Sequence, residues 1–470
     1  MSATTPQVQA VLLAAGKGTR FKSARPKVLH EAGGAPILEG PLRALEALGV
    51  APITLVVGMG ADAVEAAYRG RGRFVRQEPQ LGTGHAVLVA REVLQEHPGH
   101  RVLVVNGDLP LLRPQTVQGL IEVHQEQRAA ATLLTAVLDD PAAYGRVLRD
   151  AARRVRGIVE AKDASPEERR GREINAGLYL FEPGPLFAAL DRLTSGNAQG
   201  EYYLTGVVAD LVAAGLPVAA ATTEDADEAL GVNTFVELAA AHRALVERRL
   251  RELMLSGVAV EDPASTMVGR DVVVEPGARL RAFTFLEGHT RVAAGAVVGP
   301  CVRLENVAVG PEALIQDHCL LRDCVVEEGA QVGPFAHVRP ESRIGARARV
   351  GNFVELKKTA LGPGAKAPHL SYLGDASVGE MANIGAGTIT CNYDGNTKHP
   401  TRIGAGVFVG SNSTLVAPIE LGDGAYVGAG STITEDVPQD ALALGRARQV
   451  VKPGWARARR ERLSSMKGHG

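Results

Sequence analysis

This chain of 470 residues has few cysteines, no long apolar run and nearly equal numbers of positive and negative side chains. The four cysteines, Cys301, Cys319, Cys324 and Cys391, form no Cys-x-x-Cys pair, which argues against zinc and disulfides and predicts reduced, mostly buried thiols. The net charge of -1 gives no global bias toward nucleic acid, so small charged metabolites are the better ligand class. Without a signal-peptide pattern or a membrane span, the sequence predicts a cytoplasmic protein with no membrane partner.

A glycine-rich loop follows the first predicted strand, Val8 to Leu13. Gly16 and Gly18 let backbone N–H groups approach an anion, and Arg20 and Lys27 add a planar guanidinium and a point charge. These residues are typical of a site for several phosphates. The spacing matches neither a Walker loop nor a Rossmann fingerprint. On these residues alone, a purely structural strand-to-helix turn remains the alternative.

From Val8 to about Asn233, short apolar strands at 53–57, 102–105 and 132–137 alternate with helical patterns. This alternation predicts βαβ units and a mostly parallel sheet, whose ligands bind at the carboxyl ends of the strands. Asp108 follows one strand there, and a second glycine-bearing loop runs from residue 77 to 85. We single out Asp108 as the functional carboxylate, with helix capping as the structural alternative.

The apolar pattern changes after residue 233. The spacing of apolar residues at 234–256 predicts one amphipathic helix that connects two domains. The mixed charge of this helix disfavours binding to a membrane surface. Aliphatic residues then recur every six positions, which is the hexapeptide repeat of a parallel β-helix. They are Val268, Val274, Leu280, Leu286, Val292, Val298 and Leu304, then Val326, Val332, Val338, Ile344, Val350 and Leu356, and finally Ile403, Val409, Leu415, Leu421, Val427 and Ile433. We predict domains at residues 1–233 and 257–470, joined by the helix.

The six-residue period fails at Lys357 to Tyr372 and at Thr390 to Arg402. A solenoid often serves only as a scaffold, so we expect both segments to leave the coil as loops that carry the chemistry. His369 is the candidate functional residue of the first segment, because it has polar company where a lone surface histidine would have none. That company is Arg339, Lys357, Tyr372, Asn383 and Lys398. Backbone N–H groups at residues 385–387 are expected to hold an oxyanion.

Two motifs resemble known enzymes. Gly16 to Lys27 matches the pattern Gly-x-Gly-Thr-Arg…Pro-Lys of the sugar-nucleotide pyrophosphorylases. The domain order, with the sequence from Asn383 to Gly395, resembles the bacterial bifunctional N-acetylglucosamine-1-phosphate uridyltransferase and glucosamine-1-phosphate acetyltransferase family. The resemblance implies an α/β fold with a Rossmann-like nucleotidyltransferase domain, a left-handed parallel β-helix and a homotrimer. It also implies synthesis of UDP-N-acetylglucosamine, a precursor of peptidoglycan and lipopolysaccharide, from UTP, acetyl-CoA and glucosamine 1-phosphate with Mg2+.

The resemblance also assigns roles to residues. It implies uridylyl transfer by Arg20 and Lys27, acetyl transfer with His369 as base, and Mg2+ held by Asp108 and Asn233. It implies contacts to UTP and the N-acetylated sugar from Leu13, Ala14, Ala15, Gly16, Lys27, Gln77, Gly82, Thr83, Gly145, Glu160, Asn175 and Asn233. Glucosamine 1-phosphate would contact Arg339, Lys357, Tyr372 and Asn383, and acetyl-CoA would contact Ala386, Asn392, Tyr393, Ser411, Ala429 and Arg446.

Two alternative functions remain. One is a single-activity nucleotidyltransferase whose coil regulates and oligomerises, which His369, Lys357 and Asn383 disfavour. The other is a non-catalytic binding or assembly subunit, which the retained Arg20, Lys27 and Asp108 disfavour. The basic segment from Trp455 to Arg462 offers no stacking platform for RNA, and we assign it no function.

Overall fold

The structure is a computed structural model that describes residues 7–467. The chain divides between Arg251 and Glu252 into two units. The strands of the first unit are β1 (Val8–Ala14), β2 (Glu31–Ala32), β3 (Ala35–Pro36), β4 (Ile53–Val57), β5 (Arg73–Arg76), β6 (Arg101–Asn106), β7 (Ala131–Val137), β8 (Arg146–Arg149), β9 (Val155–Val159), β10 (Glu173–Phe181) and β11 (Val218–Thr222). Its helices are α1 (Glu39–Ala47), α2 (Ala61–Ala67), α3 (Thr83–Val89), α4 (Arg91–Gln95), α5 (Pro114–Glu126), α6 (Pro183–Leu190) and α7 (Thr205–Ala213).

The main sheet of the first unit has the order β11-β7-β10-β6-β1-β4-β5. The predicted, mostly parallel sheet is confirmed: β11–β7, β6–β1, β1–β4 and β4–β5 are parallel. Strand β10 is antiparallel to both neighbours, which the sequence did not indicate. It follows the antiparallel pair β8 and β9, and so it is not preceded by the helical crossover that parallel strands require.

The two central strands are covered on both faces. Leu12 and Leu103 belong to one apolar cluster, whereas Val11 and Val104 belong to a second cluster on the opposite face. Strands buried on both faces have near-continuous apolar sequences, as β1, β4 and β6 do. Because β1 and β6 are parallel and in register, their carboxyl ends place the glycine-rich loop beside the segment that contains Asp108.

Helix α8 (Phe235–Leu255) begins with a capping box. The Thr234 hydroxyl accepts a hydrogen bond from the N–H of Glu237 at 3.2 Å, and the Glu237 carboxylate accepts one from the N–H of Asn233 at 2.6 Å. This cap therefore holds the backbone of Asn233 beside the helix.

The second unit is a parallel β-helix. One sheet contains Ala259–Val260, Arg279–Leu280, Val297–Val298, Leu314–Ile315, Gln331–Val332, Arg349–Asn352, Lys366–His369, Asn383–Ile384, Phe408–Val409, Tyr426–Val427 and Leu442–Ala443. The other contains Met267–Val268, Val273–Val274, Thr284–Glu287, Arg291–Val292, Val302–Val309, Leu320–Val326, His337–Val338, Ser342–Ile344, Glu355–Lys357, Ala360–Leu361, Tyr372–Gly374, Ala376–Val378, Ile389–Cys391, Thr401–Ile403, Thr414–Val416, Ile419–Leu421 and Thr432–Ile433. Helix α9 (Trp455–Lys467) follows the coil.

The hexapeptide prediction is confirmed, because every aliphatic position named for the repeat is buried inside the coil. All four cysteines are free, as predicted, but only Cys319 and Cys324 are fully buried. Burial raises the pKa of the Cys319 thiol to about 11.

The expectation that Lys357 to Tyr372 forms a loop is wrong. Leu361 and Ala367 are buried within strands of the coil. Leu361 follows Leu356 by five positions instead of six, so one corner is a residue shorter and a strict six-residue template loses the register there. The second segment does leave the coil: Tyr393 pairs with Lys398 in an antiparallel bridge, and both are exposed.

Candidate active sites

Three polar side chains of the first unit converge on one point. The Lys27 ammonium donates to Asp108 Oδ2 at 2.5 Å and to Asn233 Oδ1 at 2.6 Å. The side chains of Lys27 and Asp108 are only 12% and 17% exposed, so this ion pair is largely shielded from water. The two oxygens predicted to bind metal therefore face a common position that holds a positive charge.

The glycine-rich loop places free N–H groups beside this point. Within residues 7–467, no hydrogen-bond acceptor is found for the N–H groups of Gly16, Lys17 and Gly18. Gly18 has a φ of +60°, and a Cβ there would lie 3.0 Å from the Cβ of Lys27. A side chain at Gly18 would thus be strained and crowded against Lys27. The loop combines available donors with the cations Arg20 and Lys27, as a phosphate site requires.

A cavity of about 310 Å3 lies above the loop. Its far wall is the second glycine-bearing segment: the Gln77 amide donates to the carbonyl oxygen of Gly82 at 2.9 Å, and Gln80 donates to that of Ala15 at 2.8 Å. The Thr83 hydroxyl accepts from the N–H of Leu204 at 3.0 Å. The predicted residues that line this cavity are Leu13, Ala15, Gly16, Arg20, Lys27, Gln77, Gly82, Thr83 and Asn233.

A neighbouring cavity of about 220 Å3 lies on the other side of Asn233. The predicted residues along its wall are Thr83, Asp108, Gly145, Glu160, Asn175 and Asn233. Of the predicted nucleotide and sugar contacts, Ala14 alone lines neither cavity; it is buried at the end of β1. Thr83 and Asn233 line both cavities, so a ligand that spans them would pass these two residues.

Hydrogen bonds fix the polar groups of the smaller cavity. The Thr205 hydroxyl donates to Glu160 Oε1 at 3.0 Å, and burial raises the pKa of the Glu160 carboxyl. The Asn175 amide donates to the Tyr179 hydroxyl at 2.6 Å. Tyr144, which the sequence reasoning missed, accepts from the N–H of Gly231 at 2.9 Å, and burial raises its pKa to about 12. Its position next to the predicted Gly145 was the available signal.

His369 in the second unit is held by a residue that the sequence reasoning also missed. His369 Nδ1 lies 2.7 Å from Asn352 Oδ1, and the two residues are register partners on neighbouring coils. The sequence contained a signal for this contact, because Asn352 lies one coil before His369 and a parallel β-helix places such residues side by side. The amide oxygen only accepts, so Nδ1 carries the proton and Nε2 has a free lone pair. Since His369 is exposed, Nε2 is accessible to a ligand.

The predicted contacts to a sugar phosphate divide between two faces of the coil. Arg339 and Lys357 follow each other in register on neighbouring coils, and Arg339 donates to Glu355 Oε1 at 2.9 Å. Lys357 also lies beside Lys398, and the close contact and charge repulsion between the two side chains lower the pKa of Lys398. Adjacent ammonium groups favour an anion between them. Tyr372 continues this face, whereas Asn383 lies in the other sheet.

The predicted acetyl-CoA contacts include a column on one corner of the coil. Asn383 pairs with Phe408, and Phe408 pairs with Tyr426, so Ala386, Ser411 and Ala429 occupy equivalent places on successive coils. The Asn392 amide donates to Asp375 at 2.5 Å, and the Tyr393 hydroxyl donates to the carbonyl oxygen of Gly395 at 2.6 Å. Arg446 is exposed beyond the last strand of the coil.

The prediction that the N–H groups of residues 385–387 hold an oxyanion is wrong for two of the three. The N–H of Gly385 donates to Val409 O and that of Gly387 to Leu370 O, both at 2.8 Å. These bonds join neighbouring coils and leave the two donors unavailable to a substrate.

Residues 7–467 lack two features. In that part of the chain, no group of three or more His, Cys, Asp and Glu side chains is placed to hold a metal ion. Across the same residues, no helix is long and apolar enough to cross a membrane. A metal at Asp108 and Asn233 would therefore need further oxygens from water or substrate.

Comparisons with known proteins agree with the two-part organisation. Residues 10–170 match the model of the MobA-like NTP transferase domain. Residues 323–358 match the model of the bacterial transferase hexapeptide, and residues 400–435 match that of the hexapeptide repeat of succinyl-transferase. A protein of Anaeromyxobacter dehalogenans strain 2CP-C, named bifunctional protein GlmU, is 49% identical over 100% of this chain and 96% of its own length. Relatives of the same name from Heliobacterium modesticaldum and Pelotomaculum thermopropionicum are 48% and 50% identical, over 95% and 96% of this chain and 97% and 99% of their own lengths.

Proposed function

Because this chain belongs to the family of bifunctional GlmU proteins, we propose that it catalyses two successive transfers in the synthesis of UDP-N-acetylglucosamine. The first transfers an acetyl group from acetyl-CoA to glucosamine 1-phosphate. The second transfers a uridylyl group from UTP to N-acetylglucosamine 1-phosphate and releases pyrophosphate. We assign uridylyl transfer to residues 1–233 and acetyl transfer to residues 257–470, with residues 234–256 as the connection.

The observation that carries the uridylyl assignment is the convergence of Lys27, Asp108 and Asn233 between two cavities. The cavity above the glycine-rich loop suits UTP, and the smaller cavity suits the sugar with its N-acetyl group. A phosphate oxygen of the sugar attacks the α-phosphorus of UTP, and the bond to pyrophosphate breaks. Catalysis then consists of positioning the reactants and neutralising charge with Arg20, Lys27 and loop N–H groups.

The residues at the convergence fit a divalent metal. Family membership and the nucleotidyltransferase domain are consistent with divalent metal use. Asp108 and Asn233 offer two hard oxygens that already face one cation, and magnesium prefers such donors. We therefore propose that these two side chains hold Mg2+. When bound, Mg2+ would neutralise phosphate charge and help to align the two substrates.

The acetyl-transfer assignment is supported by the orientation of His369. An ammonium group cannot attack a thioester, so the amine of glucosamine 1-phosphate must first lose a proton. With Nδ1 donating to Asn352, Nε2 is the atom that accepts it. The amine nitrogen then bonds to the acetyl carbon, and the carbon–sulfur bond breaks to release CoA. Arg339 and Lys357 would hold the sugar phosphate, with Tyr372 and Asn383 on the sugar.

A homotrimer would complete this site. Within one chain, His369 and Arg339 stand on the outside of a convex coil, which offers no second wall around a ligand. We propose that a neighbouring copy supplies this wall, with acetyl-CoA along Ala386, Asn392, Tyr393, Ser411, Ala429 and Arg446. A cytoplasmic location is part of this proposal.

The experiment that tests the proposed function measures two products from purified full-length protein. Glucosamine 1-phosphate with acetyl-CoA should yield free CoA, and N-acetylglucosamine 1-phosphate with UTP and Mg2+ should yield pyrophosphate. Exchanging the two sugar phosphates provides the control for each reaction. Pyrophosphate release without any CoA release would favour the single-activity nucleotidyltransferase, and release of neither product would favour a non-catalytic subunit.

A further inference from the structure

The position of the Lys27 ammonium has a consequence for metal binding. Its Nζ donates at once to Asp108 Oδ2 and Asn233 Oδ1, which are the two oxygens assigned above to Mg2+. Oxygens lie about 2.0–2.1 Å from a bound Mg2+, so an ion on both oxygens would occupy the space where Nζ now lies. Two cations cannot share this partly shielded position, because their like charges would repel strongly.

We propose that Lys27 is an internal counter-cation that a divalent metal must displace, and that the displaced ammonium moves to the phosphates of the nucleotide. This inference rests on the proposed function, because it takes Asp108 and Asn233 as metal ligands. Lys27 is then a positioning residue for the metal-free site and a phosphate contact in the loaded site.

The surroundings of Lys27 provide the second position. Its side chain lines the cavity above the glycine-rich loop, on the same side as Arg20, whereas Asp108 lines the smaller cavity. Gly18 lies against the Cβ of Lys27, and Lys27 begins a short 3-10 turn after Pro26, so its backbone is anchored. The flexible four-carbon stem leaves the ammonium free to change partners.

The loop gives the ammonium a reason to move. The N–H groups of Gly16, Lys17 and Gly18 have no acceptor among the described residues, and Arg20 is exposed. Nucleotide phosphates bound there would bring negative charge to the cavity that Lys27 already lines. Phosphate binding thus draws Lys27 away from the two oxygens and opens them to metal, so nucleotide and metal bind cooperatively.

The test uses Mn2+ as the probe and the full chain without nucleotide. The dissociation constant is measured from the electron paramagnetic resonance signal of free Mn2+ at fixed pH and ionic strength. Lys27→Met removes the charge but keeps a stem of similar length, and it should tighten Mn2+ binding by roughly tenfold, within the usual range of site coupling. Lys27→Gln serves as a second neutral variant and should act in the same direction.

Two further variants separate the possible outcomes. Lys22→Met removes an exposed cation that lies just beyond the glycine-rich loop and lines neither cavity, and it should leave Mn2+ affinity unchanged. Asp108→Asn combined with Lys27→Met should abolish the gain. Unchanged or weaker Mn2+ binding in both Lys27 variants overturns the exchange, even if Asp108→Asn still weakens binding. A gain that survives Asp108→Asn overturns the metal assignment of the proposed function itself.

Discussion

Asn352 Oδ1 lies 2.7 Å from His369 Nδ1, one coil away. This contact selects the imidazole tautomer with Nε2 as the proton acceptor and holds the ring in one orientation. Asn352→Ala should therefore lower kcat for acetyl transfer by roughly tenfold to a hundredfold, less than loss of the base itself. Steady-state kinetics of CoA release would measure it. The matched control is Asn306→Ala, elsewhere in the coil, and an equal loss in that variant would contradict a specific role for Asn352.

Glu160 provides a prediction about pH. Burial raises the pKa of its carboxyl in the folded protein above the value of 4.5 expected for the unfolded chain. As pH rises through that window, the unfolded chain loses its proton first, so the charged carboxylate costs the folded state stability. Glu160→Gln should raise Tm at pH 8 and have a smaller effect near pH 4.5. The variant should also weaken sugar binding, since stability and site function commonly oppose each other.

The control for Glu160 is Glu168→Gln, because a hydrogen bond from the backbone N–H of Ser165 lowers the pKa of the Glu168 carboxyl. This bond favours the ionised carboxylate in the folded protein, so Glu168→Gln should not raise Tm at pH 8. A Glu160→Gln protein whose Tm falls at pH 8 would show that the carboxylate stabilises the fold, opposite to the prediction.

A fragment that ends at Arg251 should fold and retain uridylyl transfer. Its apolar clusters are built from residues of the first unit, and helix α8 retains its capping box and most of its length. Circular dichroism would check folding, and pyrophosphate release would check activity. Acetyl transfer should be absent. An insoluble fragment, under conditions where the full chain is active, would argue against independent units.

Trimer formation gives a quantitative prediction for mixed chains. If His369 and Arg446 of one site come from different chains, co-production of His369→Ala and Arg446→Ala chains should restore acetyl transfer that neither has alone. With equal random mixing, three-quarters of the trimers are mixed and each has one complete site of three, so about a quarter of the wild-type rate is expected. The control replaces the Arg446→Ala chain with one that carries both changes. Full activity in a monomer would contradict the shared site.

The periodicity of apolar residues in the sequence was sufficient to predict much of the fold. Burial of all the named hexapeptide positions follows from self-similarity, because each coil packs only on its neighbours. The template failed at Leu356 to Leu361, where the coil shortens by one residue. In the first unit, the sequence did not reveal that β10 is antiparallel, because no local pattern distinguishes a buried parallel strand from a buried antiparallel one.

The candidate sites were predicted less completely. Lys27 is 81 positions from Asp108 and 206 from Asn233, so their mutual contact depends on sheet order and not on any local signal. The family resemblance named the three residues but could not show that the lysine donates to both oxygens proposed to hold the metal. At residues 385–387, small residues suggested available N–H groups, and only the coil-to-coil hydrogen bonds revealed that two of them are used.

The most direct test of two separate activities in one chain uses two variants measured in parallel. Asp108→Asn and His369→Ala are each assayed for pyrophosphate and CoA release in the same preparation. Asp108→Asn should lose uridylyl transfer and keep acetyl transfer, whereas His369→Ala should keep pyrophosphate release and lose about a hundred- to ten-thousandfold in CoA release. If either variant lost both activities while remaining folded, or kept the one assigned to its residue, the two-site account would be wrong.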